Sequence, residues 1–160
     1  LQVEEDVNMP ELVRLLVDDG RALSNSRHVF DVDIGEAWLR GNTSELRSAF
    51  GNLVSNAVRY TQDGGMIRIR WGEGETGPVF SVSDSGVGIP AEHIPRLTER
   101  FYRVDKGRSA STGGTGLGLA IVKHVLQHHQ AQLDIQSVLG QGSTFCAVFP
   151  RQRRLLGRSA

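Results

Sequence analysis

Apolar residues recur at helical spacing in three stretches of the chain and alternate with polar residues in several shorter ones. The first helical stretch is expected from Pro10 to about residue 26, with Leu12, Leu15, Leu16 and Leu23 in phase and the proline suited to a first turn. A strand is expected over residues 28–34, with Phe30, Val32 and Ile34 in step and Val29 out of step, and a short one at Trp38-Leu39-Arg40. Asn42 can cap the second helix with Glu45 at its third position, a capping-box arrangement. Leu46, Ala49, Phe50, Leu53, Val54, Ala57 and Val58 then mark one apolar face. Ile67, Ile69 and Trp71 alternate with Arg68 and Arg70, which predicts a half-buried strand with its arginines toward solvent. In the strand expected over residues 79–84, Phe80, Val82 and Asp84 share one side and Ser81 and Ser83 the other. Periodicity vanishes over residues 103–114, which read as a mobile lid loop. Gly116, Leu117 and Gly118 open a third helix to about His129, with Leu119, Ile121, Val122, Val125 and Leu126 on its apolar side. Strands over residues 133–137 and 144–149 flank a turn at Gly140 to Gly142.

Three polar features stand against this apolar frame. Asn52, Asn56, Arg59 and Tyr60 fall on one stripe of the second helix, beside its core face. Asparagine inside a helix is roughly 0.5 kcal/mol less favourable than alanine, so two of them four apart point either to a ligand or to a solvated face. Asp84 ends the apolar side of its strand, where a carboxylate wants donors; the exocyclic amine of a purine is one, and the turn at Ser85-Gly86 is the plainer alternative. Unblocked amides at the glycine-rich start of the third helix suit phosphate. None of the five histidines has the surroundings of a catalytic group, and His128-His129 suits the helix-end dipole better than a metal.

Composition narrows the class. The 160 residues suit one domain with a real core. A formal net charge of zero and 6% aromatics give no global basic field and no stacking platform, arguing against nucleic acid. Lys106 and Lys123 are the only lysines beside sixteen arginines, which suit planar or phosphate-like partners or simply reflect codon bias. The lone Cys146 excludes an internal disulfide and fits a reducing compartment, packed as a small hydrophobe in a strand. No apolar run is long enough for a membrane helix, so the fragment reads as soluble. The opening Gln2-Val3-Glu4-Glu5-Asp6 reads as the middle of something longer. Residues 1–9 are accordingly expected as a linker from an upstream domain, 10–150 as the domain itself and 151–160 as a basic, disordered tail.

Four clusters together read as an ATP site: Asn52-Leu53-Val54-Ser55-Asn56, Asp84-Ser85-Gly86-Val87-Gly88, Gly114-Thr115-Gly116-Leu117-Gly118 and Gly140-Gln141-Gly142-Ser143-Thr144. No P-loop pattern is present. Gly86-Val87-Gly88-Ile89-Pro90-Ala91 fits the dinucleotide fingerprint, but the element order is not a run of strand-helix-strand units. A nucleotide-controlled binding module without chemistry remains an alternative, as does a dinucleotide-binding oxidoreductase domain.

The same clusters, with Arg100-Phe101-Tyr102-Arg103, resemble the N, G1, F, G2 and G3 boxes of the ATP-binding catalytic domain of sensor histidine kinases, in the superfamily of DNA gyrase and heat-shock chaperone ATPases. The resemblance implies an α+β fold, a two-layer sandwich of a mixed, mostly antiparallel sheet on three helices. It implies that Asn56 coordinates Mg²⁺ with Asn52 supporting it through water, that Arg59 contacts phosphate, and that Tyr60 lies near the sugar or base. Asp84 would accept from the adenine amine, with Gly86, Gly88 and the adjoining Ile89 around the base and Thr144 closing its pocket. Gly114, Thr115, Gly116, Leu117 and Gly118 would seat the phosphates, with Arg103 and Lys106 reaching over them. Asn52 stands where hydrolytic members carry a glutamate base, so the resemblance favours transfer over hydrolysis. No histidine has the family's phosphoacceptor pattern, so the substrate histidine is expected on a separate dimerisation domain, with a response regulator downstream and the parent anchored in a bacterial inner membrane, this part on its cytoplasmic side.

Overall fold

The computed structural model describes residues 3–102 and 118–156. In chain order its elements are β1 (Glu5–Val7), α1 (Met9–Ser24), β2 (Val29–Ile34), β3 (Trp38–Gly41), α2 (Thr43–Tyr60), β4 (Met66–Glu73), β5 (Pro78–Asp84), a 3-10 turn (Ala91–Arg96), α3 (Gly118–His128), β6 (Gln132–Val138), β7 (Gly142–Val148), a second 3-10 turn (Arg151–Arg153) and β8 (Arg154–Leu155). The main sheet runs β2-β4-β5-β7-β6, with β2 parallel to β4 and the remaining pairs antiparallel. With α1, α2 and α3 packed on the apolar face of that sheet, the fold is the two-layer α+β sandwich expected from the sequence.

Strand alternation makes the two faces of the sheet different. Ile67, Ile69, Trp71, Phe80, Val82 and Ala147 are buried under the helices. On the opposite face Arg68 Nε donates to Asp31 at 2.8 Å and Arg70 Nη2 to Asp33 at 3.4 Å, because the register sets Asp31 beside Arg68 and Asp33 beside Arg70. These pairs are half exposed or more, so each contributes at most about 1 kcal/mol. Cys146 lies on this outer face, half-buried opposite Asp134.

All seven apolar residues expected on α2 are buried. Phe50 stacks on Phe80 with ring centroids 4.1 Å apart, and Phe149 meets Phe50 edge-on. The face of α1 is Leu12, Val13, Leu16 and Val17, whereas Leu15 and Leu23 are 40% and 54% exposed. Ile121 of α3 is likewise 41% exposed, while Val122, Val125 and Leu126 are buried. In each helix the extra apolar residue falls off the arc that a single neighbouring layer can cover.

The first and last described strands join a second sheet, ordered β1-β3-β8. Part of the expected linker is therefore a strand, with Asp6 opposite Arg40. The expected disorder of the basic tail does not hold over residues 151–156. Arg153 is 7% exposed, Arg151 Nη2 donates to Glu75 O at 2.7 Å, and Arg154 Nη1 pairs with Glu73 at 2.6 Å. Acceptors on the folded body satisfy these cations and hold the segment down.

The α2 cap is only half a capping box. Asn42 Oδ1 accepts from Glu45 N–H at 2.9 Å, but Asn42 N–H donates to His129 Nε2 at 3.0 Å. Glu45 Oε2 instead accepts from His128 Nδ1 at 3.0 Å. His129 is 2% exposed and its Nδ1 donates to Val125 O at 2.8 Å. A ring that donates at one nitrogen and accepts at the other is neutral, and burial holds its pKa below the ordinary histidine value. His129 is thus a neutral core group, not a cation answering the helix dipole.

Candidate functional site

The stripe on α2 meets the start of α3 at Asn52 and the loop after β5 at Tyr60. Asn52 and Asn56 are half-buried beside the core face of α2. Asn52 Oδ1 lies 3.4 Å from where a Cβ on Gly118 would sit, so glycine there lets α3 approach the amide. Asn56 Oδ1 accepts from Arg59 Nη1 at 2.9 Å, and the Arg59 guanidinium carbon lies 5.9 Å from the Tyr60 ring centroid. Tyr60 is itself 39% exposed.

Asp84 points to the helix side of the sheet, following Phe80 and Val82. Its Oδ1 accepts the Gly86 N–H at 2.9 Å. Burial raises its pKa above the ordinary carboxylate value, against backbone amides of Gly86 and Ser143 that hydrogen-bond the carboxylate and lower it. Such a carboxylate is a strong, oriented acceptor for a neutral N–H donor.

Two glycines shape the loop after β5. A Cβ on the buried Gly86 would collide with the Tyr60 carbonyl, so this position brings the loop against the end of α2. Gly88 has φ +75°, and a Cβ there would strike Val138 O. The loop is further tied to the β6–β7 hairpin by Ile89 N–H donating to Ser137 Oγ at 2.7 Å and Gly140 N–H to Val87 O at 2.7 Å. Asp84 therefore sits in a wall assembled from α2, β5, β7 and this loop.

Thr144 does not join that wall. It shares a 2.9 Å hydrogen bond with Ser83 on the outer face of the sheet, because the register pairs Thr144 with Ser83 and Ser143 with Asp84. Ser143, 7% exposed and 2.7 Å from Ser137 Oγ, occupies the inward position. Alternation counted back from Phe145 marks Ser143 as inward, so this signal was present in the sequence. Arg103, Lys106, Gly114, Thr115, Gly116 and Leu117 lie outside the described residues, as does the expected lid.

Residues 41–153 match the family described as histidine kinase-, DNA gyrase B-, and HSP90-like ATPase, and the chain belongs to that family. Its fold is that of the ATP-binding catalytic domain that sensor histidine kinases carry. Among curated relatives it is 55% identical over 149 residues to the phosphate regulon sensor protein PhoR of Pseudomonas aeruginosa, covering 91% of this chain. It is 51% identical over 112 residues, 70% of this chain, to PhoR of Haemophilus influenzae. The chain spans 34% and 26% of the length of these two relatives. Among solved structures, the mycobacterial sensor histidine kinase MprB superposes with a TM-score of 0.80 at 28% identity, over 92% of this chain and 97% of that one. The nucleotide-free catalytic domain of histidine kinase ThkA gives 0.79 at 23% identity over 94% and 99%, a likeness of fold.

Proposed function

We propose that this domain binds Mg·ATP and passes the γ-phosphoryl group to a histidine on a separate dimerisation domain of a two-component sensor. The observation that carries this reading is Asp84, a half-buried acceptor on the helix side of the sheet, held by the Gly86 N–H in a loop whose glycines pack against Tyr60 and Val138. Asp84 accepts from the adenine amine, and Tyr60 and Ile89 flank the base and sugar.

The donor set suits magnesium. Asn56 presents one amide oxygen and Asn52 a second within the same stripe, and Mg²⁺ usually takes few protein ligands with water and phosphate oxygens completing its shell. Bound there, the ion would neutralise charge on the transferring phosphoryl group. Arg59 approaches phosphate once it leaves Asn56, and Arg103 and Lys106 are assigned the same duty from the lid. Gly114 to Gly118 are assigned as the phosphate seat. The domain's own contribution is positioning and charge compensation. Asn52 is a poor base, so water is not activated and transfer is favoured.

The similarity to PhoR, together with the resemblance of residues 92–109 and 112–125 to phosphate-regulon sensors, supports a phosphate-responsive parent. That parent would be a membrane-anchored homodimer with this domain in the cytoplasm, signalling to a response regulator. No helix among the described residues is long and apolar enough to cross a membrane. Residues 1–9 would then lead from the phosphoacceptor domain.

The test is calorimetry of the chain with ATP and with NAD, each with and without Mg²⁺, followed by addition of a separately produced acceptor domain. Mg·ATP binding and acid-labile phosphate on the acceptor are expected. Binding of NAD without ATP would overturn the reading, and ATP binding with no transfer would reduce the domain to a nucleotide sensor.

A further inference from the structure

Far from the nucleotide end, one buried arginine gathers three parts of the chain. Arg153 Nη1 donates to Arg40 O at 2.8 Å, its Nε to Gln130 Oε1 at 3.1 Å and its Nη2 to Glu4 Oε2 at 3.2 Å. A guanidinium only 7% exposed is costly to bury, and this one is held by β3, the segment after α3 and Glu4 just before β1.

The same leading segment is fastened to the first turn of α2. Asn42 Nδ2 donates to Val3 O at 2.9 Å, and Thr43 N–H donates to Glu5 Oε1 at 3.3 Å. The Asn42 N–H in turn donates to His129 at the end of α3. The N-terminus of α2, the C-terminus of α3 and residues 3–5 therefore form one polar cluster.

The two helices run antiparallel from this cluster to the site. Asn42 and His129 meet at one end, and Asn52 and Gly118 meet at the other, about 15 Å along each helix by its 1.5 Å rise. A packed helix pair transmits a tilt at one end as a change of spacing at the other, since its core does not deform continuously.

We propose that Arg153 is a positioning residue for nucleotide binding: by clamping Glu4, Arg40 and Gln130 it sets the spacing of α2 and α3 at Asn52 and Gly118, and so couples the leading strand to the ATP site. This rests on the nucleotide reading given above. Loss of the clamp leaves the helix pair free to splay, and ATP must then order it on binding. Coupling is reciprocal, so bound nucleotide tightens the leading strand.

The experiment measures Mg·ATP affinity by calorimetry for the unaltered chain, Glu4→Gln, Arg153→Lys and the control Glu73→Gln, which removes only the exposed partner of Arg154. Hydrogen exchange is followed at residues 3–7 and 40–45 with and without Mg·ATP. Glu4→Gln and Arg153→Lys are expected to weaken binding on the order of fivefold, with Glu73→Gln unchanged and nucleotide slowing exchange in both segments of the unaltered chain. Should Arg153→Lys fail to fold, Glu4→Gln and the exchange data decide the matter. ATP binding with equal affinity in all variants and no change in exchange would overturn the coupling while leaving the ATP site standing. Failure of ATP to bind the unaltered chain would overturn both.

Discussion

Arg59 Nη1 rests on Asn56 Oδ1 at 2.9 Å, so a guanidinium holds the amide oxygen assigned to the metal. The side chain proposed to compensate phosphate charge thus keeps that oxygen oriented. Asn56→Ala removes the oxygen and is expected to weaken ATP binding in the presence of Mg²⁺ by about tenfold, the order of one hydrogen bond to a charged group. Metal-free binding should change much less. Paired calorimetric titrations with Mg²⁺ and with EDTA check this, and equal losses in both would remove Asn56 as a ligand.

Asp84 has a different signature. Its pKa is raised from 3.8 by burial, so between that value and the folded one the native state holds the extra proton. Stability therefore falls as pH rises through this window, and the ionised group burdens the fold at neutral pH. Asp84→Asn keeps an oxygen for the Gly86 amide and is expected to raise the melting temperature of the free domain while abolishing its stabilisation by Mg·ATP. Thermal melts with and without nucleotide read both effects. A variant that melts lower and still responds to ATP would contradict the assignment.

His129 predicts an acid sensitivity of the opposite sign. Its folded pKa lies below the ordinary 6.5, so the unfolded chain binds more protons just below that pH. Its contribution is fully present above about pH 6.5 and is lost as pH falls through the folded value. Protonation would set a second cation near Arg153, against the nearby Glu4 and Glu45, and would remove the acceptor for Asn42 N–H. Melting temperature measured from pH 8 to 5 should fall more steeply for the unaltered chain than for His129→Gln, and parallel curves would refute this.

The wall of the pocket separates two substitutions. Gly86→Ala drives a methyl group into the Tyr60 carbonyl and is expected to lower ATP affinity at least tenfold, the loss of about 1.4 kcal/mol. Thr144→Ala removes only a hydroxyl bonded to Ser83 on the far side of the sheet and should leave affinity within twofold. Calorimetry on both variants tests the placement, and a large effect at Thr144 would restore it to the base pocket.

Local periodicity carried the sequence a long way, because it reports which side of an element is apolar without needing to know its neighbour. The seven buried positions of α2, the inward turn of Asp84 and the outward arginines of β4 follow from spacing alone. The glycines of the loop after β5 were legible for a similar reason, since a close backbone approach demands the absence of a side chain wherever it occurs. What spacing cannot supply is the identity of the neighbour. That Leu15, Leu23 and Ile121 stay exposed depends on how far each helix is covered. Alternation already turns Ser143 inward, but that it stands opposite Asp84 depends on the β5–β7 register. His129 and Arg153 are core groups only because partners distant in the chain, Asn42, Arg40 and Glu4, bring the complementary donor and acceptors. Those contacts exist once the sheet order and the antiparallel α2–α3 pair are set, and polar satisfaction in three dimensions decides them, not the local pattern of apolar residues.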